Sequence, residues 1–131
     1  MRKTVAVALV LLAAACKGDP QATRPGEART TGANVVTRDA AIDHVIRTRC
    51  ERAAACNQIG PDRKYTDRQS CERLVRQATR LDLPDEECSR GVAATQLSQC
   101  LADLREQECG RSIETIERLA SCRTSALCVS E

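Results

Sequence analysis

The sequence predicts an all-α fold: a small, disulfide-stapled bundle of about four helices, carried behind a secretory signal and a disordered tether. Three observations predict it. Apolar residues recur at three- and four-residue steps in four stretches of the C-terminal two-thirds, which places them on single faces of helices. No stretch alternates apolar and polar residues for more than a few positions, as a half-buried strand would. The 131 residues include nine cysteines, no Phe or Trp, and Tyr65 as the one aromatic. A small core without aromatics is marginal unless it is cross-linked.

The N-terminus reads as a signal. Arg2 and Lys3 precede an apolar run that ends in Leu11-Leu12-Ala13-Ala14-Ala15-Cys16. That run is roughly 12 residues, too short for a spanning helix of about 20. Its end resembles a bacterial lipobox, with Ala13 where Leu is usual, and the resemblance implies cleavage before Cys16 and lipidation of that cysteine. Eight cysteines then remain, an even number; cleavage after Ala15 without lipidation would leave Cys16 an odd thiol. Residues 1–15 are therefore expected to be the signal, 16–37 the lipidated cysteine and tether, and 38–131 the folded domain. Pro20, Pro25, Gly18, Gly26 and Gly32 mark the tether. Its 20 or so residues reach about 25 Å on a root-n scaling.

The first helix is expected from Asp39 to about Cys56, capped by Thr37 or Asp39, with Ile42, Val45, Ile46, Cys50 and Ala53 facing inward. Asn57 to Lys64, with Gly60-Pro61, is a turn. The second helix opens at Thr66-Asp67-Arg68-Gln69, read as a capping box. It buries Cys71, Leu74, Val75, Ala78 and Leu81, and ends at Leu83-Pro84. A polar loop from Asp85 to Gly91 holds Cys88. The third helix covers about Ala93 to Glu108, with Leu97, Cys100, Leu101 and Leu104 inward and Gly110 suited to a left-handed cap. The fourth is expected from about Ile113 to Cys122, capped by Ser112 with Glu114 in its first turn, and with Ile113, Ile116, Leu119 and Ala120 inward.

The expected disulfide set is Cys50, Cys56, Cys71, Cys88, Cys100, Cys109, Cys122 and Cys128. Eight cysteines allow 105 pairings. Cys50 and Cys56 lie about 120° apart around their helix and should reach different partners. The one local expectation is Cys56 with Cys71, across the Gly60-Pro61 turn. Each bridge is worth roughly 2–4 kcal/mol.

Other chemistry finds little support. Zinc sites favour cysteines two to four residues apart, and the closest spacing here has five intervening residues. His44, the only histidine, points away from the apolar face, no C-x-x-C exists, and no nucleophile has a base. Neither a metal nor a cofactor is expected. From Lys17 to Glu131 the chain has 18 basic and 18 acidic residues, so it offers no general pull on nucleic acid. The charge is uneven, however. Arg47–Arg80 holds nine basic and four acidic residues, a net +5, and Leu81–Glu131 holds five basic and ten acidic, a net −5. The ordinary reading is two solvated helical faces. The sharper one is a dipolar partner surface with Arg73, Arg76 and Arg80 as one pole and Asp85, Glu86 and Glu87 as the other.

The stretches RCERAAAC, YTDRQSCERLVRQ, LSQCLADLREQECG and LASCRTSALC, behind a lipobox and a Pro/Gly tether, resemble a family of small cysteine-rich bacterial lipoproteins of unknown function, of myxobacterial type. Some members are labelled natural product biosynthesis lipoprotein. The resemblance covers about residues 42 to 128 plus the lipobox and implies no catalytic residues. The expectation is a non-enzymatic envelope module, anchored to the membrane through Cys16, with an envelope protein as its partner. An accessory enzyme or a redox-responsive envelope protein is the alternative. The expected location is the cell membrane or the outer membrane, with the domain outside the cytoplasm; Lys17 after Cys16 points to the outer membrane only by the enterobacterial rule.

Overall fold

The structure is a computed structural model that describes residues 34–110 and 116–129. The signal, Cys16, most of the tether, and the expected cap Ser112 with Ile113 and Glu114 lie outside the described residues. Val35 and Val36, read from sequence as the end of the tether, form strand β1 (Val35–Val36). It pairs antiparallel with β2 (Val92–Ala93), Val35 opposite Ala93 and Val36 opposite Val92. Two residues are too few for any alternation to show, which is why the pattern missed them.

Helix α1 (Arg38–Ala55) begins at Thr37, whose hydroxyl accepts the Ala40 N–H. Its expected stripe is its buried face: Ile42, Val45, Ile46, Cys50 and Ala53 are all in the core, and His44 is exposed. The helix stops in a Schellman turn. Gln58 N–H reaches Ala53 O and Asn57 N–H reaches Ala54 O, with Asn57 left-handed at φ 55.

Helix α2 (Arg68–Asp82) is capped by Asp67, not Thr66. The Asp67 carboxylate accepts the Ser70 N–H at 2.6 Å, and Thr66 donates to the same carboxylate. A charged acceptor at the positive helix end outcompetes a hydroxyl, and Gln69 then sits too early to close a box. The buried stripe also differs from the expected one. Cys71, Val75, Thr79 and Asp82 face inward, while Leu74 and Leu81 are 47% and 79% exposed. Thr79 and Asp82 occupy interior positions because their polar atoms find partners there. The Thr79 hydroxyl donates to Val75 O, the Asp82 carboxylate accepts the Ile116 N–H at 3.0 Å, and Thr124 donates to Asp82 O at 2.7 Å. The helix ends at the fully buried Leu83.

Helix α3 (Ala94–Glu106) buries Leu97, Cys100, Leu101 and Leu104, as expected. It stops short of Gly110: Gln107 is already extended at φ −59, ψ 138, and its carbonyl accepts a bond from the Arg52 guanidinium. From Ile116 to Cys122, where the fourth helix is expected to continue, the chain instead forms two 3₁₀ turns, Ile116–Arg118 and Ala120–Cys122, followed by a single helical turn, α4 (Thr124–Leu127). Ile116 is buried, Leu119 packs partly against the core, and Ala120 is exposed. Local helix propensity loses here because Asp82, Cys100 and Cys88 hold the segment at Ile116, Cys122 and Cys128.

All eight cysteines of the domain are paired: Cys50–Cys71, Cys56–Cys109, Cys88–Cys128 and Cys100–Cys122. Cys50 and Cys56 do reach different partners. The expected Cys56–Cys71 bridge does not form. Helices α1 and α2 run antiparallel, with Arg76 on Asp43 at 2.8 Å and Arg38 on the Leu83 carbonyl. The loop between them folds back along α1, so the first turn of α2 meets Cys50 rather than the helix tip. Cys56, rotated away, faces the end of α3 and takes Cys109.

Candidate functional site

The loop from Asn57 to Asp67 builds the most distinctive cleft on the described surface. Three of its residues have positive φ: Asn57 at 55, Gly60 at 142 and Asp62 at 59. They curl the chain so that Tyr65 N–H donates to Gln58 O at 3.0 Å and Gly60 N–H donates to Tyr65 O at 2.8 Å. This lays Tyr65, 8% exposed, against α1 and leaves Lys64 Nζ 5.5 Å from its ring centroid, a cation–π contact.

Arg49 and Arg52, three residues apart on α1, share a flank of the helix and reach the same space. With Ala53, Gln58, Lys64, Tyr65 and Leu104 they line a small cavity of about 30 Å³. Past Arg49, Lys64 and Tyr65 it adjoins an open groove of about 230 Å³ floored by Leu74, Val75 and Ala78 of α2. Leu74, misplaced in the core by its spacing, is the exposed apolar wall of this groove.

Three cations converge here, and no carboxylate is among the lining residues. Burial pulls the Arg49 guanidinium below its ordinary range, and the nearby Tyr65 phenol and Asp82 carboxylate oppose that shift. Arg52 donates to Gln107 O, while its Nε is buried without a hydrogen-bond partner among the described residues. A buried donor in that state is costly unless something accepts from it. The arrangement can attract and orient negative charge.

The charged residues singled out from the sequence lie elsewhere. Arg73 and Arg80 are exposed on the outer face of α2, and Arg76 pairs with Asp43. Asp85, Glu86 and Glu87 are exposed in the following loop. The two groups approach each other at Arg80 and Asp85. Arg38 joins them, donating to Arg80 O at 3.3 Å and lying 2.7 Å from the Asp85 carboxylate. Arg38, Arg49, Arg52 and Lys64 escaped the sequence reading. The one signal that marked the cleft was the lone aromatic, Tyr65, beside Lys64.

Among the described residues no helix is long and apolar enough to cross a membrane. A family model described as a family of unknown function (DUF6184) matches residues 50–130, a span that holds all eight paired cysteines. No curated protein and no solved structure matches the chain.

Proposed function

Because the chain belongs to this family of unknown function, its role has to be read from its own architecture, and we propose that it is a lipid-anchored, non-enzymatic binding module of the cell envelope. The observation that carries this reading is the cysteine count. The chain has nine cysteines, and the domain's four disulfides use eight, so that Cys16 alone is left over, at the end of the apolar run. Four disulfides in so small a domain fit an oxidising compartment outside the cytoplasm. Binding rather than turnover is favoured by the Tyr65 cleft, whose converging groups are guanidinium, ammonium, phenol and amide, suited to holding negative charge.

The test is the intact mass of the protein from native membranes, with thiol alkylation before and after reduction. A lipid-modified Cys16 and no alkylation before reduction is the expected result. An unmodified Cys16 would overturn the anchor. A second reading, a redox-responsive envelope protein, draws on the exposure of Cys109 in the Cys56–Cys109 bridge; alkylation of that pair alone without reduction would favour it. Natural-product biosynthesis is the setting implied by the resemblance, and loss of a secreted metabolite on gene deletion would support it.

A further inference from the structure

We propose that the Tyr65 cleft binds a small carboxylate carried on an apolar stem, with the carboxylate between Arg49, Arg52 and Lys64 and the stem along Leu74 and Ala78. The proposal deepens the binding-module reading and rests on it.

The inner cavity sets the head group. Its volume of about 30 Å³ compares with the roughly 10–15 Å³ that one water needs. So small a space suits a head group of a few atoms, and the apolar groove beside it favours an acid carried on a stem over a free inorganic ion. A guanidinium fork matches the planar, two-oxygen edge of a carboxylate. Arg52 lines the cavity, and its guanidinium is held in place there by the Gln107 carbonyl. Arg49 stays on the cavity wall with Tyr65 and Asp82 already offsetting part of its burial, and an anion in the cavity would add to that field. The outer groove sets the stem. It adjoins the cavity over Arg49, Lys64 and Tyr65, its floor is aliphatic, and Leu74 is 47% exposed there with no role in the core. A charged cavity opening onto an apolar groove selects a ligand with both ends, either a free short-chain acid or the C-terminal carboxylate of a peptide with an apolar last residue.

Tyr65 is the only aromatic in the chain, so tyrosine fluorescence of the oxidised full chain reports on this cleft alone. Sodium hexanoate is titrated against hexanamide, inorganic phosphate, and acetyl-Ala-Leu with a free or amidated C-terminus. A saturable change with hexanoate or the free-acid peptide is expected, and whichever binds more tightly identifies the source. The two amides should bind at least about tenfold more weakly, as loss of a charge-assisted contact implies. Arg52→Gln should weaken binding at least as much. Because Arg52 also holds Gln107 O, Lys64→Gln and Leu74→Ser, both at exposed positions, serve as variants that keep the fold, checked by an unchanged thermal midpoint. Each should weaken binding several-fold. The assignment is overturned if neither acid saturates, if the amides or phosphate bind as tightly as the acids, or if both surface variants leave the affinity unchanged. The titration does not depend on the anchor. Saturation by hexanoate beside an unmodified Cys16 overturns the anchor alone, and no saturation beside a lipidated Cys16 overturns the cleft alone.

Discussion

Gly91 sits where three segments of the chain meet. Its φ is +97, its N–H donates to Cys88 O, and its carbonyl accepts the Val129 N–H. A Cβ built there would lie 2.6 Å from Val35 Cγ1 and 2.7 Å from Val36 O. The valine side chain can turn away, but the carbonyl belongs to the β1–β2 ladder and cannot. Gly91→Ala should therefore destabilise by about 2–4 kcal/mol, combining left-handed strain with displacement of backbone. Gly60, at φ +142, has only Arg63 Cγ at 3.7 Å, so Gly60→Ala should cost about 1–2 kcal/mol, from backbone strain alone. Denaturant midpoints of the two variants check this; equal losses would show that the contact with β1 does not matter. From sequence Gly91 was only the end of a polar loop. Its demand for glycine arises from Val35 and Val36, distant in the chain and read as tether.

At the scale of the element, periodicity found the inner face of α3 residue for residue and that of α1 except for Ala41 and Thr48, because those faces are almost wholly aliphatic or cysteine. It rotated α2 wrongly, because Thr79 and Asp82 score as polar although internal hydrogen bonds make them acceptable in the core. Treating them as surface turned Leu74 and Leu81 inward. The consequence is measurable. Val75→Ala, at a site 2% exposed, should cost about 1–3 kcal/mol. Leu81→Ser, at 79% exposure, should stay within about 0.5 kcal/mol. A large loss from Leu81→Ser would restore the stripe as first read. The same limit hid the cleft. Arg49 and Arg52 read as solvated arginines until the left-handed residues Asn57 and Asp62 bring Lys64 and Tyr65 back over them, and no propensity scale sees that return.

For the whole molecule the cysteines decide what can open and in what order. The Cys50–Cys71 and Cys100–Cys122 sulfurs belong to fully buried residues, whereas Cys109 is exposed and Cys56 only half-buried. Thiol–disulfide exchange needs a thiolate to reach sulfur, so gentle reduction should open Cys56–Cys109 first. That bridge also closes the widest separation of the four, 53 residues, against 21, 22 and 40 for the others. In the chain-entropy account its loss should remove about 3–5 kcal/mol, more than any other single bridge. The two-thiol species should stay folded but melt earlier. Since Cys56 leads directly into the loop that carries Lys64 and Tyr65, tyrosine fluorescence should change in the same step, before helical circular dichroism falls. Timed alkylation with peptide mapping reads the order. First labelling at Cys100 or Cys122 would mean that the domain unfolds globally before any bridge is reached, and would exclude Cys56–Cys109 as a separately addressable clamp on the cleft.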